Sequence, residues 1–105
     1  LDNNKKGKIM NKYKVNLKHE PNPDINYVNG SGYWGLPKDK NNILITANTL
    51  REIQDKFDDW KNRNELGGGN IPYIYIRDTK DNKIAHISYN CKVWDMDGNE
   101  ITKEL

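Results

Sequence analysis

An α+β fold, with one helix laid on a mainly antiparallel sheet of four to five strands, is what this sequence predicts, and three observations predict it. A helical apolar stripe runs through TLREIQDKFDDWKNRN, residues 49–64. Segments of period-two alternation lie on both sides of it, and polar turn sequences join the later segments. At 105 residues and 12.3 kDa the chain has room for one core, since a second domain usually adds on the order of 100 residues. We read residues 1–11 as a basic, flexible amino-terminal segment and residues 12–105 as a single two-layer domain.

The first element is KYKVNLKH, where Tyr13, Val15 and Leu17 alternate with Lys12, Lys14, Asn16 and Lys18, the pattern of a half-buried strand. NNILIT follows as a second short strand after a long interval. Thr49 and Glu52 then have capping-box spacing, in which hydroxyl and carboxylate satisfy amides that the first helical turn leaves unpaired. Leu50, Ile53, Phe57 and Trp60 form the apolar stripe, and ELGGGN ends the helix, its glycines acting as a stop and joint. IPYIYIRD and IAHISYNCKVW supply two further strands joined by the turn TKDN. Asp97-Gly98 marks another hairpin, predicted to pair Trp94 with a short strand at Ile101. The order is β, long loop, β, α, β, β, β, and a β-grasp-like arrangement is one topology it permits.

Alternation sorts the later strands into two faces. Ile74, Ile76, Ala85, Ile87, Tyr89, Cys91 and Val93 are predicted to meet the helix. Tyr73, Tyr75, Arg77, His86, Ser88, Asn90, Lys92 and Trp94 then line the outer face. The long interval, residues 19–42, holds VNGSGYWGLP. Its glycines lack the Lys-Ser/Thr that a phosphate-binding loop needs, and no strand runs through them into a helix as a dinucleotide fingerprint requires. Tyr33, Trp34 and Leu36 have two readings: a lid folded over the outer sheet face, or protruding contact residues.

The chain carries 17 basic and 15 acidic residues, and their distribution matters more than the total. Lys5, Lys6, Lys8, Lys12, Lys14 and Lys18 face Asp2 alone in the first 18 positions, and acids outnumber bases in the rest. KKGKIM reads as the translation of a purine-rich ribosome-binding site, which predicts initiation at Met10 and a chain of balanced charge. Abundant Asn, Lys and Ile suggest a low-GC bacterium or one of its mobile elements. No apolar run reaches the roughly 20 residues of a membrane span, and the single cysteine forms no intrachain disulfide, so a cytoplasmic protein without membrane contact is expected.

Catalytic and metal patterns are absent. Cys91 and His86 fall on opposite faces of one predicted strand, and Cys91 is assigned to the core. His19, between Lys18 and Glu20 and ahead of Pro21, is read as an exposed loop histidine. DMDGNE places its glycine too early for a calcium loop, and no cofactor or metal is expected. Asp55 and Asp59 share a helix face with Arg51 and Arg63 at ion-pair spacing, as do Glu52 and Lys56. The favoured function is a small non-enzymatic protein-binding module, an accessory or inhibitor protein of a phage or mobile element, with Tyr33, Trp34, Tyr73 and Tyr75 as anchors. The alternative is a single-stranded nucleic-acid binder using Tyr73, Tyr75, Arg77, His86, Lys92 and Trp94. A third class is a small enzyme built on His86 and a tyrosine.

Overall fold

Helix α1 spans Leu50–Arg63, inside the caps its sequence provides. Thr49 Oγ1 accepts the Glu52 amide at 3.1 Å, and the Glu52 carboxylate reaches back to the Asn48 amide at 3.0 Å. The reciprocal contact thus falls one residue earlier than an ideal capping box places it. Leu50, Ile53, Phe57 and Trp60 are buried as the stripe requires. The computed structural model describes residues 12–24, 31–35, 37–39 and 41–103. The basic segment 1–11, Met10 within it, and Leu36 lie outside these residues.

Among the described residues five strands form one sheet: β1 (Tyr13–Leu17), β2 (Ile43–Ala47), β3 (Ile74–Arg77), β4 (Lys83–Ile87) and β5 (Val93–Asp95). Their spatial order is β2-β1-β3-β4-β5, and every neighbouring pair is antiparallel. The architecture is α+β, one helix on one antiparallel sheet. The β-grasp arrangement is not adopted, because that fold needs a parallel central pair. Val15 and Leu17 from β1, Ala47 from β2, Ile74 and Ile76 from β3, Ala85 and Ile87 from β4, and Val93 from β5 join the helix stripe in a single core. Burying each large apolar side chain contributes roughly 1.5–3 kcal/mol, so this shared face supplies most of the drive to fold.

The run read as one strand over residues 84–94 is instead two, because the chain reverses at Ser88–Lys92. Three hairpins in succession use the same loop. The Asp78 amide donates to the Asn82 carbonyl (3.0 Å), Ser88 to Lys92 (2.9 Å) and Asp95 to Asn99 (2.8 Å). In each, the fourth residue donates back to the first and adopts a positive φ: Asp81 at 71°, Cys91 at 68° and Gly98 at 90°. This is the three-residue hairpin with a left-handed residue closing it. Asp78 and Asp95 also accept two amides each through Oδ1, while Ser88 has a hydroxyl in that place. Trp94 consequently pairs with Glu100, one residue short of the expected Ile101.

The helix also stops before the glycines. Asn64 caps it and Glu65 takes the left-handed turn at φ 53°, leaving Gly68–Asn70 to form a 3-10 turn. Gly67 is needed for a different reason: a Cβ there would lie 2.8 Å from the Trp34 indole nitrogen.

Candidate functional site

Alternation places Tyr75, His86 and Trp94 side by side across β3, β4 and β5 on the face away from the helix, since Tyr75 pairs with His86 and His86 with Trp94. Tyr73 closes the group. Its ring centroid lies 4.9 Å from Tyr75 and 4.4 Å from His86, and the His86 ring stacks near Trp94 at 6.5 Å and 18°. Ser88 Oγ accepts the Trp94 indole N–H at 3.1 Å, so that ring is held at both ends. Tyr73 is 62% exposed, whereas Tyr75, His86 and Trp94 are half-buried by one another. Burial pushes the His86 pKa below its ordinary value, which leaves a neutral imidazole at pH 7.

Cations surround this aromatic centre. Lys83 Nζ sits 4.2 Å over the Tyr75 ring, a cation–π contact. Arg77 donates to the Asp81 carbonyl at 3.1 Å, Lys14 pairs with Asp81 at 3.2 Å, and Lys92 approaches Glu100 at 4.0 Å. All six residues of the expected nucleic-acid set therefore belong to the outer side of the sheet or its β4–β5 hairpin.

The four expected protein anchors do not stay together. Tyr33 is 9% exposed and belongs to the core cluster, and its hydroxyl lies 2.8 Å from His19 Nδ1. Burial and the Glu20 charge push its pKa up. It presents almost no surface to a partner and does not cover the outer face, so neither reading of the pair holds for it. Trp34, 52% exposed, packs on Gly67 instead. Tyr89, 43% exposed, lies over Gly68 and beside Tyr73 at a depression of about 240 Å³ that Pro72 and His86 also line. The glycine turn thus carries Trp34 against Gly67 and Tyr89 over Gly68, the latter at the end of the sheet that Tyr73 occupies.

Two buried asparagines set the path of the long loop. Asn70 is fully buried; its Nδ2 donates to the carbonyls of Glu20 and Gly32, at 2.9 and 2.8 Å, and its Oδ1 accepts the Gly67 amide at 2.9 Å. Asn64, equally buried, accepts the amides of Lys38 and Asp39 and donates to the Asp39 carboxylate and the Trp60 carbonyl. Arg63 bridges Asp39 and Asp59, and these hydrogen bonds, foremost that from Arg63, hold the Asp39 carboxyl below the usual carboxylate range. Lys38 and Asp39 are thereby fastened to the helix end, and Glu20 and Gly32 to the glycine turn that follows it.

His19 is half-buried within this arrangement, not exposed. Its ring stacks near Trp60 at 6.3 Å, and Nε2 is buried without a hydrogen bond of good geometry. Burial lowers its pKa, with Asp39 opposing the fall through its backbone and its charge. The signal for this was present, because His19 continues the inward series Tyr13, Val15, Leu17. Beside it, Leu17, Ile43, Ile45 and Trp60 floor a groove of about 360 Å³ between α1 and edge strand β2, rimmed by Asp55, Lys56, Asp59 and Arg63. Lys56 donates to the Thr46 carbonyl at 2.9 Å, which blunts that sheet edge.

Among the described residues no group of three or more His, Cys, Asp or Glu side chains is placed to hold a metal, and no helix is long and apolar enough to cross a membrane. The chain matches no protein-family model, no curated protein and no solved structure. Its function has to be argued from its own residues.

Proposed function

We propose that this chain is a small non-enzymatic protein-binding module whose contact surface is the outer sheet face centred on Tyr73, Tyr75, His86 and Trp94, with Trp34 and Tyr89 at its end. The observation that carries this reading is the arrangement of side chains: aromatic rings packed at the centre, ion-paired charges at the perimeter. Tight interfaces have that anatomy, with Tyr and Trp enriched in the desolvated middle and charges at the rim. Rigid rings that already support one another lose little conformational entropy on binding. An accessory or inhibitory role toward a larger protein fits a domain this size without a catalytic set.

The test is affinity capture from a low-GC bacterial lysate treated with nuclease, using wild type, a Tyr73→Ala/His86→Ala variant and an Arg51→Ala control on the helix. A partner held by wild type and control but lost by the outer-face variant supports the reading. Equal capture by all three overturns it. A second reading, single-stranded nucleic acid on the same face, draws on Lys83 over Tyr75 and on Arg77. It requires affinity to fall steeply with salt, and a flat response to salt eliminates it.

A further inference from the structure

We propose that Lys61 and Cys91 form a covalent nitrogen–sulfur crosslink, a sulfenamide, when the protein meets a peroxide. Cys91 closes the β4–β5 hairpin in the left-handed region, at φ 68°. Its Sγ lies 3.5 Å from Lys61 Nζ on the helix and 3.4 Å from Asp58 Oδ1. Lys61 is buried to 8% exposure and its ammonium is held in place. It donates to the Tyr89 carbonyl at 2.7 Å, sits 4.4 Å over the Tyr89 ring and pairs with Asp58 at 3.5 Å. The sulfur is not sealed in. Cys91 is half-exposed and borders an open depression of about 490 Å³ lined also by Gln54, Asn90 and Lys92, wide enough to admit a peroxide.

The chemistry balances in two steps. Cys91 attacks the peroxide; the O–O bond breaks, an S–O bond forms, and with hydrogen peroxide one water leaves, giving the sulfenic acid. Lys61 then transfers a proton to the Asp58 carboxylate and its nitrogen attacks the sulfenic sulfur. An N–S bond forms, the S–O bond breaks, and the departing hydroxide takes one proton from the nitrogen to leave as a second water, while Asp58 returns its proton to solvent. The chain loses two hydrogens in total. A nucleophile held about 3–3.5 Å from its target is at near-attack distance, so amine capture competes with further oxidation. Burial raises the Cys91 pKa, and the hydrogen bond and charge of Asp58 add to that, although Lys61 opposes it; the first step is accordingly faster at alkaline pH. The product ties α1 to the β4–β5 hairpin.

Intact-mass and tandem mass spectrometry after peroxide treatment test this on the full chain. The expected result is a loss of two hydrogens, a peptide pair joining residues 61 and 91, resistance to trypsin after Lys61, and full reversal by excess thiol. Lys61→Arg keeps a cation but removes the amine, and circular dichroism checks its fold; it is expected to yield only oxygen adducts on Cys91. Asp58→Asn is expected to slow crosslinking with the fold intact. Oxygen adducts or intermolecular disulfides alone in wild type overturn the proposal, as does an equal loss of two hydrogens in Lys61→Arg.

Discussion

Replacing Asn70 by alanine removes three hydrogen bonds at once and tests whether one buried amide holds the long loop. Its Nδ2 serves the Glu20 and Gly32 carbonyls and its Oδ1 serves the Gly67 amide, all at 2.8–2.9 Å. The variant strands the Glu20 carbonyl and the Gly67 amide, while the Gly32 carbonyl keeps the Asn22 amide at 2.9 Å, and it leaves a cavity in their midst. Each stranded buried group costs about 1–3 kcal/mol. Water entering the vacated space offsets part of that, so the net loss is roughly 2–4 kcal/mol, a large share of the 5–15 kcal/mol of a typical domain. Urea denaturation followed by tryptophan fluorescence is the assay, because Trp34 packs on Gly67, beside the lost contact. The midpoint falls strongly while the slope is unchanged. A loss below about 1 kcal/mol refutes the reasoning, since no typical mutational cost of a stranded buried group is that small.

Further expectations concern strain, loop geometry and pH. Cys91→Gly is more stable than Cys91→Ala by about 1 kcal/mol, because both lack the thiol and only alanine pays for the left-handed backbone; thermal melts of the two variants check it. Gly32→Ala destabilises by roughly 2 kcal/mol or more, since Gly32 has φ 83° and its Cβ would stand 2.8 Å from the Pro21 side chain; chemical denaturation reads this. Burial lowers the folded pKa of His19 and of His86 below 6.5. Stability is therefore full above that value and falls as pH drops through it, because the unfolded chain takes up protons first, levelling off below the folded pKa values. His19→Gln flattens part of this slope and the double variant with His86→Gln the rest, as measured by urea midpoints between about pH 8 and 5. The Asp39 carboxyl, held low chiefly by Arg63, acts in a separate window, with its contribution present above the ordinary carboxylate pKa and lost as pH falls below it.

The helix and the outer face were legible because local periodicity alone determines them. Leu50, Ile53, Phe57 and Trp60 lie inward where the 3.6 period puts them, and Tyr75 and Arg77 lie outward where the pleat does. The hairpin at Ser88–Lys92 was hidden because a cysteine occupies the position where Gly98 announces the next turn, and Ser, Tyr and Cys all suit a strand. Burial of Tyr33 was hidden for another reason. It depends on Asn64 and Asn70, whose partners in the long loop are 25 to 50 residues away in sequence, and a polar residue in a turn carries no local mark of being buried. His19 reads as a loop residue despite its inward parity, because Glu20 and Pro21 follow it and signal the end of the strand. On the outer face, the positions of Tyr73 and Tyr75 follow from alternation in the sequence, whereas the approach of Trp34 to Gly67 and of Tyr89 to Gly68 is a product of the fold.

Site-specific photo-crosslinking reads whether the outer aromatic face meets a protein. A photoreactive phenylalanine replaces Tyr73 in one chain and Asp55, on the helix, in another; each is irradiated in low-GC bacterial cells that express it. The expected result is a discrete, nuclease-resistant protein adduct from position 73 that is lost on adding Trp94→Ala, and none from position 55. Adducts from both positions alike, or a nucleic-acid adduct from position 73, contradict it.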